Sequence, residues 1–148
     1  MDARFAVVVA GAPVHAAEHV AGVVAPYLEV LQSMGGRRAL FPPGADGPPC
    51  LFLAATGGSE RALLDSWAGR GPLFLVAHPG HNSLPAALEA LAAVGSSGGR
   101  GRILYFRSPD DAAAHAAVEA TVAGLEAAAA LRRARLGVVG APSDWLVA

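Results

Sequence analysis

The chain has 148 residues, 53% hydrophobic and only 16% charged, enough for one domain with its own core and unlike a disordered segment. Eleven basic residues against twelve acidic ones give a formal charge of −1 without a long basic run, which excludes a nucleic-acid groove and a membrane-binding face from the expected functions. A single cysteine, Cys50, leaves no internal disulfide and points to a reducing, cytoplasmic setting, and no apolar run reaches the roughly 18 residues of a membrane span.

Short β-type runs alternate with longer helical stretches, the signature of repeated βαβ units and a mostly parallel sheet. Strands are expected at 5–10, 38–41, 50–55, 73–77, 103–106 and 136–139, and helices at 14–34, 59–68, 84–94 and 109–133. Several strands are apolar at consecutive positions, as strands covered on both faces by helices must be. The expected fold class is therefore α/β, a three-layer flavodoxin-like (Rossmann-like) parallel sheet flanked by helices. Gly22 and Pro26 should kink the first helix or divide it. In the last helix Ser108 is suited to cap, Pro109 to the first turn, and Asp110 and Asp111 to the positive pole, with arginines at the other end. Val118, Val122 and Leu125 fall on one face of it. Parallel crossovers gather the C-terminal ends of all strands on one edge, so function is expected there.

The most informative loop is Thr56, Gly57, Gly58, Ser59, Glu60, which follows an apolar strand and opens a helix. Its glycines permit close backbone approach, and the free N–H groups of the first helical turn suit an anion or sugar hydroxyls. The same residues also read as a plain turn with Ser59 as cap and Glu60 complementing the helix dipole. One unit later, His78, Pro79, Gly80, His81, Asn82 and Ser83 occupy the equivalent place. No cysteine lies near these two histidines, and hydrogen-bonding roles suit them better than metal ligation. Asn82 and Ser83 can cap the following helix or contact a sugar. His15 and His19 have i, i+4 spacing but lack the Glu that directly follows the first His in zinc-protease helices; no metal ligands are assigned in the chain.

Other signatures are missing. No lysine is present, which removes Schiff-base, lysine-base and phosphate-loop chemistry. The first strand is followed by Gly11, Ala12, Pro13 rather than a dinucleotide fingerprint, and no nucleophile elbow occurs. Trp67 and Trp145 read as core or interface residues.

Three segments, 51–60 (LFLAATGGSE), 77–91 with its Asn-Ser-Leu-Pro-Ala-Ala-Leu-Glu run, and 136–148 (LGVVGAPSDWLVA), resemble in the same order the N-terminal region of L-fucose/L-arabinose isomerase-like proteins. The last segment is the most specific, and residues 1–49 match only in their strand-helix-strand outline. The resemblance implies a metal-dependent aldose–ketose isomerisation in the complete enzyme. There a divalent metal, usually manganese, polarises adjacent sugar oxygens while a carboxylate moves the proton. In the family the catalytic Glu, Asp and His lie downstream of the Pro-Ser-x-Trp region, and this sequence ends just after it.

The expectation is thus a single N-terminal domain over 1–148, with 141–148 beginning a crossing to a further domain. It would be non-catalytic, with no cofactor of its own and Mn2+ implied only for the complete enzyme. By resemblance, Thr56, Gly57, Gly58, Ser59, Glu60, His78, His81, Asn82 and Ser83 approach substrate, and Pro142, Ser143 and Trp145 form the interdomain junction. Implied partners are C-terminal domains or a partner chain, further copies in a homo-oligomer, and a small sugar. The alternative is a free-standing flavodoxin-like module that binds a small anion or phosphorylated ligand at Thr56 to Ser59.

Overall fold

The computed structural model describes residues 3–44, 46–135, 137 and 140. In chain order the elements are β1 (Phe5–Ala10), α1 (Ala17–Ser33), β2 (Gly36–Ala39), β3 (Cys50–Ala54), α2 (Glu60–Trp67), β4 (Leu73–Ala77), α3 (Ser83–Ser96), β5 (Gly101–Tyr105) and α4 (Ala112–Arg133). The five strands are all parallel, in the order β2-β1-β3-β4-β5. This is the α/β three-layer, flavodoxin-like arrangement expected from the hydrophobic pattern. Of the sixth expected strand, at 136–139, only Gly137 is among the described residues.

Side-chain alternation sends each strand's apolar residues to two separate cores. On one face Phe5, Val7, Leu51, Leu53, Val76 and Leu104 pack with Val24 and Leu31 of α1 and Val118 and Val122 of α4. On the other, Val8, Phe52, Leu73 and Leu75 pack with Leu63 of α2 and Ala87, Ala90 and Val94 of α3. Near-continuous burial of β1, β3 and β4 follows from helices on both sides. At one edge, β2 exposes Arg37 and Arg38, charges that discourage pairing with another strand.

Three local expectations are corrected. First, of the kink or division expected at Gly22 and Pro26, the division does not occur: α1 runs as one helix through both residues. The one backbone hydrogen bond lost at Pro26 is outweighed by burial of Val24 and Leu31 on either side of the proline. Second, β2 begins two residues earlier than expected, because Gly35 at φ +92° ends the helix and Gly36 enters the sheet at once. A Cβ on Gly36 would stand 2.6 Å from Phe5 and 2.7 Å from the Leu31 carbonyl, so only glycine fits. Third, α4 is capped by Asp111 rather than Ser108, and Pro109 lies before the helix. The Asp111 carboxylate accepts the Ala113 and Ala114 N–H groups at 3.1 and 3.3 Å, while the Ser108 hydroxyl donates to Asp110 at 2.6 Å. A paired carboxylate is the stronger acceptor for the helix start: the Arg107 guanidinium and backbone N–H bind Asp111 and hold its acid well below the usual carboxylate range.

Candidate functional site

In this strand order the direction of winding reverses between β1 and β3, and the crevice above their C-terminal ends is where open α/β sheets bind ligands. Here the β1–α1 loop and the β3–α2 loop meet directly: the Ala12 N–H donates to Thr56 Oγ1 at 2.9 Å. Gly58, at φ +79°, lies so close that a Cβ would be 3.1 Å from that of Ala12. The β4–α3 loop closes in from the other side, its His81 carbonyl accepting the Gly57 N–H at 2.7 Å. A Cβ on Gly57 would sit 2.8 Å from Asn82 Cβ. The two loops singled out from sequence therefore share one rim and touch.

The nine expected site residues divide into two sets. Thr56, Ser59, His78 and Ser83 are buried, and three of them are committed to internal bonds. Thr56 is held by Ala12 as above. The Ser83 hydroxyl accepts the His78 N–H at 3.0 Å and donates to the Ala54 carbonyl at 2.6 Å, tying the start of α3 to the end of β3. His78 donates from Nε2 to the Ala55 carbonyl at 3.2 Å and stacks on Tyr27 with ring centres 4.7 Å apart. Burial pushes the His78 pKa down, against the opposing pull of the Ala55 carbonyl. Ser59 occupies the N-cap position of α2, but its hydroxyl makes no cap bond and has no partner among the described residues; its backbone is already helical, which turns the side chain away from the N–H groups a cap must reach.

Gly57, Gly58, Glu60, His81 and Asn82 stand wholly or partly exposed. Glu60 folds back so that its carboxylate accepts the Gly58 N–H at 3.0 Å. Asn82 is the N-cap residue of α3, but in the left-handed region at φ 56°, with no side-chain cap bond. His81 precedes it at φ 54°. Two consecutive non-glycine residues in that region are unusual, and such strain persists only where neighbouring contacts over-determine it. The Gly57–His81 and Ser83–Gly80 backbone bonds do so here, and the result presents the imidazole of His81 and the amide of Asn82 at the surface.

Sequence reasoning paired His15 with His19 but missed their approach to His81, and it missed an aromatic row at this rim. His15 is not helical, since α1 starts at Ala17, yet its ring lies 5.0 Å from that of His19, and His19 lies 5.3 Å from His81. Beneath them an aromatic row runs from His78 through Tyr27 to Phe106, and on to His115, with the latter two spacings 6.0 and 5.8 Å. His115 also donates from Nε2 to the Pro109 carbonyl at 2.7 Å. The one available signal was positional: all five histidines follow β1, β4 or β5 at their C-terminal ends.

No family model, curated protein or solved structure matches this chain. Among the described residues no three His, Cys, Asp or Glu side chains converge as a ready-made metal site, so the manganese implied by resemblance has no ligand set among them. Pro142, Ser143 and Trp145 lie outside the described residues. A groove of about 960 Å³ opens at the opposite end of the sheet, lined in part by Cys50, Trp67, Arg70, Leu125 and Arg133. Burial pushes the Cys50 thiol there up to about 12, which keeps it protonated and a poor nucleophile.

Proposed function

We propose that this chain is the N-terminal domain of a sugar (aldose–ketose) isomerase-like protein, itself non-catalytic, serving assembly and substrate contact at the rim of β1, β3 and β4. The observation that supports the reading is the Gly57–His81 hydrogen bond, because it joins two of the segments that carry the resemblance. The exposed groups suit a neutral polyol: the Glu60 carboxylate accepts from hydroxyls, Asn82 both donates and accepts, and an imidazole does either. A phosphorylated ligand fits less well. The Gly58 N–H is already taken by Glu60, whose negative charge would face the phosphate.

In this reading the sugar is covered from one side by the rim and from the other by another polypeptide, which brings the metal and the proton-moving carboxylates. The division of labour has a physical reason. Proton transfer between adjacent carbons needs a base within hydrogen-bond reach of the carbon and a shielded site, whereas an open rim orients hydroxyls.

The test is a heteronuclear NMR titration with L-fucose, L-arabinose and inorganic phosphate, with a parallel assay for ketose in the presence of Mn2+. Amide shifts confined to Gly57, Gly58, Glu60, His81 and Asn82 with aldose, and no ketose, are expected. Ketose formation by this chain alone, or stronger shifts with phosphate than with aldose, overturns the reading.

A further inference from the structure

We propose that His15, His19 and His81 form a binding site for a borderline-soft divalent ion such as zinc, bridging the β1–α1 loop and the β4–α3 loop. The proposal stands independently of the sugar reading. It begins from spacing. Two imidazoles on one tetrahedral zinc, with Zn–N of about 2.0–2.1 Å, have ring centres about 5 Å apart. The His15–His19 and His19–His81 ring centres are 5.0 and 5.3 Å apart.

The backbones that carry the rings are fixed to a common support. The His15 N–H donates to the Ala12 carbonyl at 3.0 Å, Ala12 is tied to Thr56 at 2.9 Å, and the adjacent Gly57 holds His81 at 2.7 Å. The side chains, by contrast, are exposed and lack hydrogen-bond partners among the described residues. At present His19 neighbours each of the other two rings, and the three are not converged on one point. Exposed side chains exchange rotamers in picoseconds to nanoseconds, and the proposal requires that an ion draw the three rings together through such changes.

The donor set also selects the ion. Neutral imidazole suits zinc, copper and nickel, whereas manganese, magnesium and calcium prefer oxygen ligands. Three imidazoles on a tetrahedral ion leave a fourth position for water or a ligand oxygen, here directly above the sheet's switch-point crevice. Each histidine contributes through a ring nitrogen, and no residue of the buried His78 network is needed.

The experiment is titration of the full chain with Zn2+ and, separately, with Mn2+, read by calorimetry and by the imidazole ε1 proton resonances. Expected are one Zn2+ per chain, reversed by chelator, and perturbation of His15, His19 and His81 resonances but not those of His115. No saturable binding of Mn2+ should appear. His19→Gln should weaken Zn2+ by at least about tenfold, and His15→Gln and His81→Gln each by a measurable factor, with unchanged circular dichroism in all three. Cys50→Ser, at the far end of β3, serves as the control and should bind normally. Zn2+ affinity unchanged in His19→Gln or His81→Gln, binding lost in Cys50→Ser, equal affinity for Mn2+, or no saturable Zn2+ binding overturns the proposal.

Discussion

The Gly57 N–H donates to the His81 carbonyl at 2.7 Å, and this single bond makes one surface out of two loops that are more than twenty residues apart in sequence. Gly57 is glycine because Asn82 leaves no room, a Cβ there standing 2.8 Å from Asn82 Cβ. Gly57→Ala should lower stability by about 1–3 kcal/mol, the usual range for overpacking, and shift the amide resonances of both loops. Gly22→Ala is the contrast. It sits within α1 with open space around it and should stabilise by about 0.5–1 kcal/mol. Denaturant unfolding of both variants checks the pair, and a neutral Gly57→Ala would mean the loops are not in contact.

Asp111 is predicted to matter far more than Ser108. It alone caps α4 and binds Arg107, so Asp111→Ala should cost about 1–2 kcal/mol. Ser108→Ala should stay within about 0.5 kcal/mol. Thermal unfolding of the two variants decides, and equal effects would return the capping role to Ser108.

The hydroxyls of Ser59 and Ser83 make opposite predictions although both are buried. Ser83 bridges the His78 N–H and the Ala54 carbonyl, and Ser83→Ala orphans both, costing about 1–3 kcal/mol. Ser59 Oγ has no partner among the described residues, so Ser59→Ala should be neutral or slightly stabilising. A large loss in Ser59→Ala would reveal a partner for that hydroxyl, such as an ordered water.

Stability should fall on acidification through His78. Its folded pKa is lowered, chiefly by burial, so the unfolded chain binds a proton that the folded chain refuses. The contribution is fully present above the unfolded pKa of about 6.5 and is lost as pH falls below it, levelling off at the folded value. Equilibrium unfolding between about pH 7.5 and pH 5 should show this slope, and His78→Gln should flatten it. An unchanged slope in that variant would assign the pH dependence to other groups.

The fold was legible because its cause is local. Consecutive apolar residues in β1, β3 and β4 can be buried only with helices on both faces, and the separate helical stretches supply them. The site was legible in part. Glycine-rich turns after β3 and β4 marked the rim, since parallel crossovers put those turns on one edge. Errors fell where several local signals competed. Ser108 read as the cap and Asp111 only as a complement to the positive pole, and Gly22 with Pro26 read as a kink or division where burial of Val24 and Leu31 keeps one continuous helix.

By itself, then, the sequence determined the layering, the direction of the strands and the edge on which polar loops would gather, because periodicity and chain connectivity dictate all three. Only tertiary structure decided which polar side chains are consumed inside, as Thr56, His78 and Ser83 are, and which face outward, as Glu60, His81 and Asn82 do. It alone brought His19, already beside His15, next to His81. Those outcomes depend on loops distant in sequence packing together, and hydrogen bonds between them carry no periodic trace along the chain.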